Sequence, residues 1–96
     1  MKTITVGTKE ILDKALELET GSKLYIACST DHERDILYYD LKRQRLWLIE
    51  DNLTKYEQVI IDRKPFNLHP NVILTKRNIL SAHIMKTDGQ IEEIRL

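Results

Sequence analysis

The chain is short of every residue type that usually announces a chemistry. It has a single cysteine, Cys28, which excludes an intrachain disulfide framework and a multi-thiolate zinc site. Cys28 lies in the apolar run KLYIACS and reads as a buried, inert thiol. Glycine is almost as scarce, with three residues at 7, 21 and 89, each needed by a break, a helix end or a turn. That leaves no glycine-rich phosphate loop, no GxGxxG and no glycine-flanked nucleophile turn. Neither sign of charge dominates: fifteen lysines and arginines balance fifteen acids. Sequence-independent nucleic-acid binders usually carry a basic excess, because phosphate neutralisation supplies most of their affinity. No apolar window approaches the length of a membrane span, and MKTITVGTKE lacks the core of a signal peptide, so the expectation is a cytoplasmic protein with no membrane partner.

What is present is an ordinary soluble composition, 42% hydrophobic and 31% charged over 96 residues. Residues 1–96 are expected to form a single domain, since the length does not support two cores. A domain this small has little room for an internal ligand pocket, so a site on the surface or between subunits is easier to build. Near-zero net charge also removes a barrier to self-association.

Local pattern supplies the elements. KTITV alternates and is β-branched, as a short strand does. Thr8 is a candidate N-cap for KEILDKALELE, where Ile11, Leu12, Ala15, Leu16 and Leu18 share one face and Gly21 is the expected stop. KLYIACS is apolar on both faces, as in a central strand. DILYYD and RLWLIED read as a hairpin joined by LKRQ, with an acidic solvated loop, DHERD, before it. YEQVIID puts Val59 and Ile61 on one face; Pro65 and Pro70 fence FNLH as a loop; NVILT is a short strand and KRN a turn. The closing ILSAHIMKTDGQIEEIRL is a hairpin. A three-residue loop with Gly89 left-handed pairs Ala82 with Ile94, His83 with Glu93, Ile84 with Glu92 and Met85 with Ile91, which keeps the faces consistent.

The expected fold is therefore α+β and mainly β: one N-terminal helix packed on a strongly bent antiparallel sheet or a small SH3/Sm-like barrel. The helix-then-strands order is an architectural likeness to those barrels, with no motif behind it.

Three constellations compete for function. Asp31, His32, Glu33 and Asp35 offer oxygen and nitrogen donors, but without the glycine of a calcium loop or the spacing of a zinc site; no cofactor or metal is expected. The basic pairs Lys42 and Arg43, Arg63 and Lys64, and Lys76 and Arg77 fall at expected turns or strand ends. With nearby aromatics they could grip single-stranded RNA or DNA if they gather at one end. The hairpin stretch is apolar on both faces and rich in tyrosine, tryptophan and arginine, which dominate interface energetics. The favoured expectation is a small non-enzymatic regulatory or accessory module of bacterial or phage type, homo-oligomeric, binding a protein partner through Tyr39, Arg43, Arg45 and Trp47. Nucleic-acid binding and a nucleotide-like ligand between subunits are the alternatives.

Overall fold

The computed structural model describes residues 3–43, 58–62 and 75–96. The chain begins with strand β1 (Ile4–Gly7), which passes directly into helix α1 (Thr8–Glu17). Gly7, not Thr8, is the N-cap, and its N–H donates to the Glu10 carboxylate at 3.1 Å. Ile11, Leu12 and Ala15 are buried on one side of the helix, as their spacing requires. The helix stops at Glu17, where Leu18 turns extended. Gly21 comes later, in a tight turn closed by Ser22 N–H to the Glu19 carbonyl at 3.0 Å. Its φ of +94° is the left-handed value that a side chain resists.

Strand β2 (Lys23–Ala27) is central, as its two-sided apolar pattern implied. After it, the expected hairpin gives way to a second helix, α2 (Asp31–Arg43). Both the DILYYD strand and the DHERD loop are corrected by this element. Its signal was in the chain: Thr30, Asp31, His32, Glu33 is a Thr-x-x-Glu start, and Thr30 Oγ1 accepts the Glu33 N–H at 3.1 Å. Arg34, Leu37, Tyr38 and Leu41 are buried at helical spacing. Ile36–Tyr39 is also an unbroken apolar run, which a strand apolar on both faces would carry equally well.

Strand β3 (Gln58–Asp62) follows, then β4 (Lys76–Ile79), β5 (Ser81–Met85) and β6 (Ile91–Ile94). Lys76, Arg77 and Asn78 thus belong to a strand and not to the expected turn. They are extended because β1 pairs with them from the far end of the chain, with Ile4 opposite Ile79 and Val6 opposite Arg77. The strands make two antiparallel sheets, β1-β4 and β3-β2-β5-β6, so among the described residues there is no closed barrel. The chain crosses from one sheet to the other at Leu80, whose N–H bonds the Ala27 carbonyl at 2.8 Å.

The core lies on the face of the larger sheet that carries Leu24, Ile26, Val59, Ile61 and Ala82, joined by Ile11, Leu12 and Ala15 of α1 and Leu37 and Leu41 of α2. Cys28 is buried in the same cluster. The terminal hairpin has the expected register: Ala82, His83, Ile84 and Met85 stand opposite Ile94, Glu93, Glu92 and Ile91. Gly89, at φ +88°, supplies the left-handed residue of its loop. The stretches RLWLIED, FNLH and NVIL lie outside the described residues.

Candidate functional site

The surface that best matches a binding role is the outer side of α2. Tyr39 is 60% exposed, although it sits on a helix whose neighbouring tyrosine, Tyr38, is buried. The two rings meet edge to face with centroids 5.4 Å apart, so Tyr38 braces Tyr39 from the core side. Asp35, Tyr39 and Arg43 recur at four-residue spacing and are all exposed, which puts them on one stripe. Lys42 flanks that stripe, with its Nζ 5.7 Å from the centre of the Tyr38 ring. Lys42 and Arg43 also occupy the last turn, where cations suit the negative end of the helix.

The helix is fixed from below by a chain of polar groups reaching across the fold. Asp40 is nine-tenths buried on the side of α2 that meets β4. Its Oδ2 accepts the Thr75 hydroxyl at 2.9 Å and stands 2.6 Å from Arg77 Nε. That second contact is ionic and not a directional hydrogen bond, because the Nε–H is not aimed at the carboxylate. Since the Thr75 hydroxyl donates its hydrogen bond to Asp40, the Thr8 hydroxyl, 2.6 Å from Thr75 Oγ1, is the donor in that pair. The Thr8 N–H bonds the Thr75 carbonyl at 2.8 Å. One line of contacts therefore ties the start of α1, the entry to β4 and the last turns of α2. Asp40 belongs to no recognisable short motif and the sequence does not single it out, while Thr8 stands out only as a candidate N-cap, a role that Gly7 takes.

The first turns of α2 use charge differently. Arg34 is buried and its guanidinium bonds Asp35 Oδ1 at 2.9 and 3.1 Å, with Asp31 3.5 Å away. Asp31 and Asp35 of the DHERD stretch are thus helix-stabilising partners of an arginine. Of the expected contact residues, Tyr39, Lys42 and Arg43 share the α2 surface. Arg77 reaches its neighbourhood through the Asp40 contact, which commits its charge to that carboxylate, while Lys76 alternates to the other side of β4 and lines a cavity beside the start of α1. Arg45, Trp47, Arg63 and Lys64 lie outside the described residues.

Two cavities are lined by described residues near these elements. One of about 350 Å³ opens beside the Thr8–Thr75 pair, lined by Lys9, Glu10, Asp13 and Lys76. Its charges are largely satisfied: Lys9 pairs with Asp13 at 3.0 Å, and Glu10 holds Gly7. The other, about 190 Å³, lies between the end of α1 and the terminal hairpin and carries Glu17, Glu19, Glu92 and Lys86. There the Lys86 ammonium bonds Glu92 at 3.1 Å, a hydrogen bond that raises its pKa above the ordinary lysine value. Among the described residues, no group of three or more histidine, cysteine, aspartate or glutamate side chains is placed to hold a metal ion, and no helix is long and apolar enough to cross a membrane.

Fold and surface together define a class: a small, strand-rich α+β domain with two helices and two antiparallel sheets. Comparison with protein-family models, curated proteins and solved structures finds no match to this chain.

Proposed function

We propose that the chain is a small non-enzymatic regulatory module that works in the cytoplasm by protein–protein contact through the exposed stripe of α2. One observation carries the reading: a large aromatic, Tyr39, stands 60% exposed on a helix packed against the core, with Asp35 one turn before it and Lys42 and Arg43 one turn after. Tyrosine and arginine are over-represented among residues that dominate interface energy, and a rigid helix limits the entropy lost on docking. The Asp40–Arg77 ion pair supports this by holding the helix in one position. A partner offering an apolar pocket rimmed by carboxylates matches the stripe.

The test compares wild-type protein with Tyr39→Ala and Arg43→Glu as immobilised bait, followed by binding constants for each captured protein. Tyr39→Ala is expected to weaken the specific partner about thirtyfold, the usual scale of a central aromatic. Its far-UV spectrum and melting temperature should stay unchanged, because the side chain is exposed. Equal affinity for wild type and both variants would remove the α2 surface from consideration.

A second reading rests on the exposed cations Lys42 and Arg43 in the last turn of α2, with Tyr39 one turn before them. As a grip for single-stranded nucleic acid, that region should give an affinity that falls steeply with salt. A flat salt profile for labelled oligonucleotides ends this alternative.

A further inference from the structure

Among the described residues the larger sheet ends at β6, and no strand pairs with its outer edge. In the order β3-β2-β5-β6 the last strand pairs only with β5, and Ile91, Glu92, Glu93 and Arg95 are all exposed. The ladder phase shows which backbone groups face outward. Lys86 N–H bonds the Gln90 carbonyl at 2.8 Å, so residues 86 and 90 are a hydrogen-bonded pair. In an antiparallel ladder such pairs alternate, which assigns residues 92 and 94 to β5 as well. The N–H and C=O groups of Ile91, Glu93 and Arg95 therefore point away from the sheet, with no strand among the described residues to receive them.

We propose that a second copy of this chain receives them, by antiparallel pairing of β6 with the partner's β6 about a two-fold axis through Ile94. This surface is distinct from the α2 stripe and does not depend on it. The charge pattern selects the register. Pairing centred on Glu92 or Glu93 sets like carboxylates against each other, which is unfavourable. Pairing centred on Ile91 runs at once into the Gly89 turn, whose backbone at φ +88° cannot continue a ladder. Pairing centred on Ile94 has neither fault. It sets Ile94 against the partner's Ile94 on the half-buried, core-facing side. On either side of the axis, Glu93 stands opposite the partner's Arg95, with backbone hydrogen bonds exchanged in both directions. Glu92 stays with Lys86. Arg95 directly follows β6, so the pairing lengthens the strand by one residue, and the sheets of both copies become continuous.

Exposed edges are usually guarded by charge. Here Glu92 and Glu93 guard against the wrong registers and admit one. The near-zero net charge of the chain sets no long-range repulsion against the assembly.

The experiment is native mass spectrometry, with sedimentation to obtain the dissociation constant. Wild type is expected at twice 11.3 kDa. Arg95→Glu turns each attractive pair repulsive and should weaken the dimer at least about tenfold. The exchange variant Glu93→Arg/Arg95→Glu restores opposite charges and should restore the dimer. Glu93→Pro removes an outward N–H that β5 does not use, and should give a folded monomer. Tyr39→Ala should leave the dimer intact, which separates failure here from failure of the α2 reading. A monomeric wild type, indifference to Arg95→Glu, or no rescue by the exchange variant overturns the proposal. So does a co-purifying chain of different mass that is lost on Glu93→Pro, since a foreign strand then holds the edge.

Discussion

Asp40 is the residue on which the position of α2 depends. It is a buried carboxylate that accepts a hydrogen bond from the Thr75 hydroxyl and faces Arg77, so removing it takes a partner from that hydroxyl and from a partly buried guanidinium together. Leaving buried polar groups without partners costs more than the bonds themselves contribute. Asp40→Ala is therefore expected to lower stability by about 2–4 kcal/mol, read from urea denaturation. Adding Arg77→Leu should return much of that loss, since the double variant no longer holds an uncompensated charge. Additive losses in the two variants would show that the pair acts separately. Nothing in local sequence pointed to this pair. Asp40 and Arg77 are far apart in the chain, and each reads alone as one more surface charge.

Elements differ in how much of their own stability they carry. Helix α1 has a clear apolar stripe, and its reading survives with small changes at both ends. Helix α2 is the instructive case. Its buried positions include an arginine and a tyrosine, which blur the contrast between faces, and its centre, Ile36–Tyr39, is an unbroken apolar run that suits a strand as well. A helix of that kind leans on its start signal, and Thr30 supplies it by capping Glu33. Thr30→Ala should cost about 1 kcal/mol, while Thr30→Asp, an equally good cap, should cost little. Far-UV circular dichroism across a thermal scan reads both; equal losses would deny Thr30 a capping role. The terminal hairpin stands at the other extreme. Alternation on both strands and one left-handed glycine were enough to specify its register in advance, because a slip by one residue exchanges whole faces.

On the scale of the whole molecule, the ends of the chain are interlocked. Strand β1 pairs with β4, and Val6 of β1 is completely buried in the core. That strand also leads straight into α1, so the short sheet and the first helix form one unit. Removing the residues before Thr8 should abolish the cooperative melting transition rather than lower it slightly, because β4 loses its partner and the core loses Val6. Differential scanning calorimetry decides; an unchanged midpoint would mean that β1 is an ornament.

The sequence by itself determined whatever rests on short-range periodicity and steric exception: the first helix, the central strand β2, the hairpin register and the α+β class with strands in the majority. These follow from side-chain direction along a few residues and from the freedom of a glycine at positive φ. Tertiary structure decided the rest. It made Lys76, Arg77 and Asn78 a strand by bringing β1 beside them, and it made Asp31–Arg43 a helix by giving Leu37, Tyr38 and Leu41 one common core to enter. The barrel expected from the element order yields to two sheets for the same reason. Pairing between distant segments is settled by which contacts bury the most apolar surface at once, and that sum is a property of the folded chain, not of any stretch within it.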